Sequence, residues 1–316
     1  MKLLNILENI DYSGNPDSRE ILNITHDSRK VKKGTLFIAI QGNNNDGHDF
    51  IFNAIEKGAS AIIANGRAPI SNRVPIIQVS DPRKVMSKIA ANFFNHPSMG
   101  IKIIGVTGTN GKTTTTQIID HILKNNNCTS SSLGTLGFNS PTGIISTGFT
   151  TPESIELHQI LKVFKNGGID FVPMEISSHA IAMNRIDDVN INYAIFTNLG
   201  SDHLDFHKSK ENYFNTKLKL FKNLKKDSLA FVNMDDEYAS QIIKNTSCKC
   251  YTYGFNKKSD LYIINYELNL ESSIAKIKYE NKIYKIETNL IGKFNLYNLI
   301  ASILCCLKIG IKMQDI

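Results

Sequence analysis

The run Val-Thr-Gly-Thr-Asn-Gly-Lys-Thr-Thr-Thr-Thr at residues 106–116 limits what this chain can fold into more than any other segment. Before it lie Ile101, Ile103 and Ile104. After it come Ile118, Ile119, Ile122 and Leu123 at helical spacing. A strand, a glycine turn and a helix N-terminus form the usual cradle for nucleotide phosphates. Gly108 and Gly111 allow the tight turn and let backbone N–H groups point inward. Lys112 can reach the terminal phosphates, and the Thr113 hydroxyl can hold Mg²⁺. The strict pattern asks for glycine where this chain has Val106, so the loop is a variant of the generic one. A Gly/Thr-rich turn with no nucleotide is the plainer reading. The position of Lys112 and Thr113 directly after a strand favours the nucleotide.

A chain of 316 residues predicts about two domains with ample apolar content for buried cores. The longest apolar run near the end, 299–307, falls short of the roughly 20 residues a bilayer requires. The N-terminus lacks a signal-peptide core and soon reaches Glu8 and Asp11, so a cytoplasmic soluble protein is expected. Cys128, Cys248, Cys250, Cys305 and Cys306 form no CxxC pair, which points to reduced structural thiols. The net charge of +7 is spread along the chain. Its one compact basic cluster, 217–226, also carries Leu218, Leu220, Phe221 and Leu224, and is expected to be an amphipathic helix with a solvated face. No basic patch interleaved with aromatics points to nucleic acid.

Residues 1–97 are expected to form a small α/β unit, with strands at 36–40, 61–64 and 75–79 and helices at 50–57 and from Asp81-Pro82 to about Phe94. The break at Asn95-His96-Pro97 marks the boundary. From Ile101 onward strands alternate with helices, the clearest strands being 171–176, 193–197 and 229–233. Each ends in polar residues, as expected of a doubly wound, mostly parallel sheet presenting its active edge. Alternating segments at 261–266, 274–279 and 282–287 form an added β segment, followed by a helix over about 295–307.

Three polar clusters lie beyond the phosphate loop. Glu175-Ile176-Ser177-Ser178-His179 ends an apolar strand, where Glu175 can ligate Mg²⁺ and Ser177 or Ser178 can equally cap a helix. Residues 197–207 hold Asp202, His203, Asp205 and His207, a mix suited to Mg²⁺ and phosphate rather than to an HExxH zinc site. A polar turn with capping aspartates is the alternative. Lys217 is, on its own, a lysine on a helix.

Together these residues resemble the Mur ligase family, within it the branch adding the third residue of the peptidoglycan stem peptide. The resemblance runs through His26-Asp27-Ser28-Arg29-Lys30-Val31, Gly34-Thr35-Leu36-Phe37-Ile38-Ala39 and the phosphate loop, which lacks the first glycine in that family too. It continues through Thr150-Thr151-Pro152, Met174-Glu175-Ile176-Ser177-Ser178-His179, Asn198-Leu199 with Asp202-His203-Leu204-Asp205, and Tyr213-Phe214 with Lys217. Asn233-Met234-Asp235-Asp236 and Gly292-Lys293-Phe294-Asn295-Leu296-Tyr297-Asn298 complete it. Phe149, Met183 and Gly200-Ser201 depart from the pattern near the substrate.

The resemblance implies a uridine-nucleotide domain at 1–97 and a central ATP-binding domain at 98–316. The family's third domain, which selects the incoming amino acid, lies outside these residues. It implies that Gly108, Thr109, Asn110, Gly111, Lys112, Thr113, Thr114 and Asn295 hold ATP. Ser28, Asn43, Asn44 and Asn45 would hold the uridine diphosphate, and Thr150, Thr151, Ser177 and Arg185 the muramoyl peptide. Thr113, Glu175, His203 and a carbamylated Lys217 would surround Mg²⁺, with Lys112, Lys217 and His203 as the catalytic set. The implied protein is a monomeric amide ligase that adds meso-diaminopimelate or L-lysine to UDP-N-acetylmuramoyl-L-alanyl-D-glutamate through an acyl phosphate. A folylpolyglutamate-synthetase-like ligase and a non-catalytic nucleotide-binding fragment are the alternatives.

Overall fold

The computed structural model describes residues 1–316 except 43, 44, 70, 141 and 142. By packing, the chain divides into two units. One comprises Met1–Met99, Glu153–Val163 and Met183–Val189; the other comprises Gly100–Pro152, Phe164–Ala182 and Asn190–Ile316. Two stretches distant in sequence therefore pack with the first unit, which a single boundary at residue 97 does not express.

In the first unit, α1 (Leu3–Ile6), β1 (Asn23–Thr25), β2 (Thr35–Ile38), α2 (Ile51–Glu56), β3 (Ala59–Ala64), β4 (Ile76–Gln78) and α3 (Pro82–Phe93) follow in chain order. The four strands form a parallel sheet in sequential order. β2 is buried along its whole length, as a parallel strand covered on both faces must be. Leu36 and Ile38 join one apolar cluster with Leu3, Ile6, Met86 and Ile89, while Phe37 joins another with Ile51 and Ala54. α3 begins where Asp81 accepts from the N–H groups of Arg83 and Lys84 and Pro82 presets the first turn.

The second unit contains β5 (Lys102–Thr107), α4 (Lys112–Asn125), β6 (Leu133–Gly134), β7 (Gly137–Ser140) and β8 (Gly143–Ile145). After α5 (Ser154–Asn166), whose first residues belong to the first unit, come β9 (Phe171–Glu175), α6 (Ser178–Ala182), β10 (Ile191–Phe196), α7 (Leu204–His207) and α8 (Lys210–Lys222). Then follow β11 (Leu229–Asn233), α9 (Ala239–Lys244), β12 (Lys249–Gly254), β13 (Leu261–Leu268), β14 (Ser273–Tyr279), β15 (Lys282–Thr288) and α10 (Lys293–Ile309). The sheet order is β15-β14-β13-β12-β11-β10-β5-β9-β6-β7-β8, parallel from β13 to β6 and antiparallel in the hairpins at both edges. The edge hairpin of β7 and β8 has no counterpart in the sequence expectations. β5 lies between β10 and β9, so the crevice at its carboxyl end is a topological switch point, where doubly wound sheets bind ligands.

α10 buries Leu296, Ile300, Ile303, Leu304, Cys305 and Cys306 against Ile119, Leu123, Tyr253 and Leu261. Cys305 and Cys306 are fully buried, and burial pushes the Cys306 thiol up to about 12. All five cysteines are free thiols; Cys248, Cys305 and Cys306 are buried, and Cys128 and Cys250 are partly so. Among the described residues no helix is long and apolar enough to cross a membrane.

The expectation of a solvated basic face over 217–226 is overturned at its first residue. The helix α8 ends at Lys222, and Lys217 is 1% exposed, among the most buried large side chains. Its face carries Tyr213, Phe214, Leu220 and Phe221 into the core, whereas Lys219 and Lys222 remain exposed.

Candidate functional site

β5 ends at Thr107, and the chain turns through 108–111 into the first residue of α4, Lys112. Gly111 has φ +88°, a left-handed conformation that suits glycine, and a Cβ there would collide with the Asn298 side chain. Any side chain at Gly108 would strike Thr197. The loop is gripped by the residues after β10. Thr109 N–H donates to Asn198 O at 2.8 Å, Asn110 N–H donates to Asn198 Oδ1 at 3.0 Å, and Thr197 Oγ1 donates to Asn110 O at 2.7 Å. Gly200 N–H donates to Thr109 Oγ1 at 2.7 Å, and the Tyr213 hydroxyl lies 3.2 Å from that oxygen.

Lys112 Nζ donates to Gly108 O at 3.1 Å and to Thr109 O at 2.8 Å. Burial lowers the pKa of its ammonium, and the carboxylates of Glu175 and Asp202 oppose that shift. Thr113 Oγ1 donates to Glu175 Oε2 at 2.9 Å. Glu175 is 1% exposed and is held from a second side by Thr135, whose N–H donates to Oε1 at 2.9 Å and whose hydroxyl donates to Oε2 at 3.2 Å. Thr150 Oγ1 lies 3.1 Å from Thr135 Oγ1. Thr151 Oγ1 donates to Glu175 O at 2.8 Å and accepts from Ser177 N–H at 3.0 Å. Ser177 Oγ accepts from Ala180 N–H at 3.1 Å, so the capping role open to it in the sequence is realised.

Lys217 Nζ donates to Gly108 O at 2.9 Å and lies 4.4 Å from the centre of the Tyr213 ring. Burial and the nearby Lys112 ammonium hold its amine well below the usual lysine range. A tertiary contact thus brings to the phosphate loop a residue that the sequence by itself leaves anonymous. His203 adopts a left-handed conformation (φ +57°), is exposed, and sets its ring 4.9 Å from His179 and 6.3 Å from Tyr213. His207 is buried, with Nε2 2.9 Å from Ser178 Oγ. Among the described residues no group of three His, Cys, Asp or Glu side chains is assembled for a metal. The Thr113 hydroxyl and the Glu175 carboxylate are hard-oxygen donors of the kind Mg²⁺ takes. The Lys217 amine does not fit a cation, whereas its carbamate would.

Asn295 bonds locally: Nδ2 donates to Ile291 O, just before α10, at 2.9 Å, and Oδ1 accepts from Asn298 Nδ2 at 3.2 Å. Asn298 Oδ1 in turn lies 3.4 Å from Thr115 Oγ1. Thr114 is half-buried in the first turn of α4.

In the first unit, Asp27 caps the turn Ser28–Lys30 by accepting from Arg29 N–H at 3.0 Å, and its ion pair with Arg29 holds its carboxyl down at about 2. Lys57 Nζ donates to Ser28 O at 3.1 Å. Asn45 is exposed; Asn43 and Asn44 lie outside the described residues. Just beyond Asn45, Asp46 accepts from His48, and His48 Nε2 accepts from Asn65 N–H. Arg185 belongs to this unit, 2.7 Å from Glu153 Oε1. Ser28, Asn45 and Arg185 therefore sit in one unit, and Thr150, Thr151 and Ser177 in the other.

Thr135 was not singled out in the sequence, whereas Asn198, Tyr213 and Asn298 stood inside the quoted motifs without a role of their own. Thr135 stands in a Gly134-Thr135-Leu136-Gly137 turn without periodicity, and the other three act only through contacts with distant loops.

A glycine loop at the switch point of a parallel sheet, with a buried carboxylate hydrogen-bonded to its threonine, defines a phosphate-loop protein of the doubly wound class. The comparisons go further: the chain belongs to the Mur ligase family. Residues 106–306 match the Mur ligase middle domain, and residues 20–94 match the Mur ligase family catalytic domain. The UDP-N-acetylmuramoyl-L-alanyl-D-glutamate–2,6-diaminopimelate ligase of Aquifex aeolicus (strain VF5) is 42% identical over 294 residues, 93% of this chain and 60% of its own length. Its counterpart in Syntrophomonas wolfei is 38% identical over 98% of this chain and 64% of its own length. A solved ligase of the same name superposes with a TM-score of 0.86 at 26% identity, covering 100% of this chain and 65% of that one. The chain thus spans about three-fifths to two-thirds of the length of these relatives.

Proposed function

We propose that this chain is the uridine-nucleotide and ATP-binding part of an amide ligase that adds 2,6-diaminopimelate to UDP-N-acetylmuramoyl-L-alanyl-D-glutamate. The Thr113–Glu175 hydrogen bond at the head of the phosphate loop carries the reading, because it sets two hard-oxygen donors beside the place where a terminal phosphate would lie. The names of the relatives support this substrate, and diaminopimelate rather than lysine as the residue added.

In the proposed reaction the γ-phosphoryl group passes to the D-glutamyl carboxylate, giving an acyl phosphate and ADP. The amine of the diamino acid then attacks the acyl carbon, and phosphate leaves. Positioning and charge neutralisation are the protein's share of such chemistry. The backbone N–H groups of the loop and the Lys112 ammonium would hold the β- and γ-phosphates. Thr113 and Glu175 would hold Mg²⁺, which when bound neutralises the charge of the transferring group. Lys217, whose burial beside the Lys112 ammonium favours the neutral amine, suits reaction with CO₂, and its carbamate would add oxygen donors beside Gly108. His203 would complete the metal's surroundings from the exposed loop before α7. Ser28, Asn43, Asn44 and Asn45 are assigned to the uridine diphosphate, and Thr150, Thr151, Ser177 and Arg185 to the muramoyl peptide. We assign domains at 1–97 and 98–316, and a monomeric cytoplasmic protein.

Calorimetric titration with the UDP-muramoyl dipeptide and with its tripeptide product tests this. Tighter binding of the dipeptide form is expected. A folded chain that binds neither would sink the substrate assignment. Folylpolyglutamate synthase from Mycobacterium tuberculosis shares the fold, with a TM-score of 0.58 over 72% of this chain, but at 11% identity that likeness concerns the fold alone.

A further inference from the structure

We infer that Glu153 is the positioning residue that aims the Arg185 guanidinium at a carboxylate of the muramoyl dipeptide, with Arg83 of α3 as its anchor. The inference rests on the assignment of Arg185 to the muramoyl peptide and adds the groups that fix its direction.

Arg83, Glu153 and Arg185 are far apart in sequence and all belong to the first unit. Arg185 Nη2 lies 2.7 Å from Glu153 Oε1, and Arg83 Nη1 lies 3.5 Å from Glu153 Oε2. One carboxylate therefore holds two guanidinium groups, one through each oxygen. The side chains of Arg185, Glu153 and Arg83 are only 8%, 16% and 24% exposed, so solvent and salt screen these pairs little. Both ends of the relay are tied down. Glu153 O accepts from Leu157 N–H at 2.8 Å, which fixes its backbone at the head of α5. The segment carrying Arg185 is fastened to α3 at two further points. Asp188 N–H donates to Ser87 Oγ at 3.1 Å, and Lys88 Nζ lies 3.2 Å from Asp188 Oδ1. A guanidinium is a rigid planar fork, so holding Nη2 sets the direction of the other N–H groups. Two guanidinium groups against one carboxylate leave these three side chains with a net positive charge. The neighbouring His26 adds none near neutral pH, because burial lowers its pKa against the pull of Glu153. Glu156, the next acid along α5, is offset by Lys30. A planar, cationic fork held in one direction suits a carboxylate.

Calorimetric titrations with the UDP-muramoyl dipeptide, with UDP alone and with ATP provide the test. Glu153→Asp keeps the charge and withdraws the carboxylate by one methylene. It should weaken the dipeptide by about 10-fold, the loss of one charge-assisted hydrogen bond, and leave UDP and ATP unchanged. Glu153→Gln, which keeps the shape and removes the charge, should do the same. Retained UDP and ATP binding shows that the variants fold. A loss of UDP or ATP as large as that of the dipeptide makes Glu153 a structural partner and overturns the inference. Dipeptide affinity unchanged in both variants overturns it too. In an Arg185→Ala background, Glu153→Asp should cost nothing further, and an undiminished loss there shows that Glu153 does not act through Arg185. Arg185→Ala by itself separates the two readings. Weakened dipeptide binding in Arg185→Ala with an intact Glu153→Asp removes only the positioning role. Parent-like binding by Arg185→Ala removes the substrate assignment of Arg185 and the positioning role together.

Discussion

The Thr113 hydroxyl donates to Glu175 Oε2 over 2.9 Å, joining the first turn of α4 to the end of β9 across 62 residues of sequence. Glu175 is buried and accepts from Thr135 as well, so its two oxygens already have three donors before any cation arrives. Replacing it with alanine strands Thr135 N–H and the Thr113 hydroxyl, at a cost of about 1–3 kcal/mol. Glu175→Gln keeps the shape and removes the charge. It should bind ATP equally with Mg²⁺ or with a chelator, whereas the parent should bind more tightly with Mg²⁺. Calorimetry in the two buffers measures that difference, and a Mg²⁺ effect persisting in Glu175→Gln would count against the metal role.

Lys112 bonds to the carbonyls of Gly108 and Thr109, and its head is positioned to exchange these for phosphate oxygens. Charge-assisted hydrogen bonds contribute about 1.5–3 kcal/mol each, so Lys112→Ala should weaken ATP by at least about 10-fold. Binding of the UDP-muramoyl dipeptide should be nearly unaltered. Parallel titrations of the two ligands decide it; equal losses in both would point to misfolding rather than a phosphate contact.

Gly111 combines φ +88° with an Asn298 side chain that already meets Thr115 and Asn295. Gly111→Ala introduces backbone strain and a contact that cannot move aside freely. A loss of about 1–3 kcal/mol in unfolding free energy is expected, together with weakened ATP binding. Denaturant unfolding monitored by circular dichroism gives the first quantity. A variant as stable as the parent would show that the loop can relax.

His158 in α5 is fully buried, both ring nitrogens lack a hydrogen-bond partner among the described residues, and burial pushes its pKa down to about 3. The unfolded chain binds the proton near pH 6.5 while the folded chain refuses it until about 3, so stability falls as the pH drops through that window. By pH 5 this one residue should remove about 2 kcal/mol, and His158→Leu should flatten the acid limb correspondingly. Unfolding free energies of the two proteins at pH 7 and pH 5 provide the comparison, and parallel pH profiles would refute it.

The sequence by itself determined the local features. Glycines and a lysine in the run 106–116, an apolar approach and a helical continuation are encoded within a dozen neighbours, and the same holds for Asp81-Pro82 at the head of α3. Glu175 could be suspected because a carboxylate that ends an apolar strand lies at the active edge of a parallel sheet. The remainder depended on contacts across long stretches of chain. Lys217 reads as one more solvated lysine until α8 folds it against Gly108, 109 residues away. Thr135 belongs to the site because the edge turn after β6 delivers its N–H to Glu175, and short hairpin strands leave little periodicity to read. Periodicity and turn chemistry are properties of neighbouring residues; burial, and the charge state burial imposes, belong to whatever the fold brings into contact.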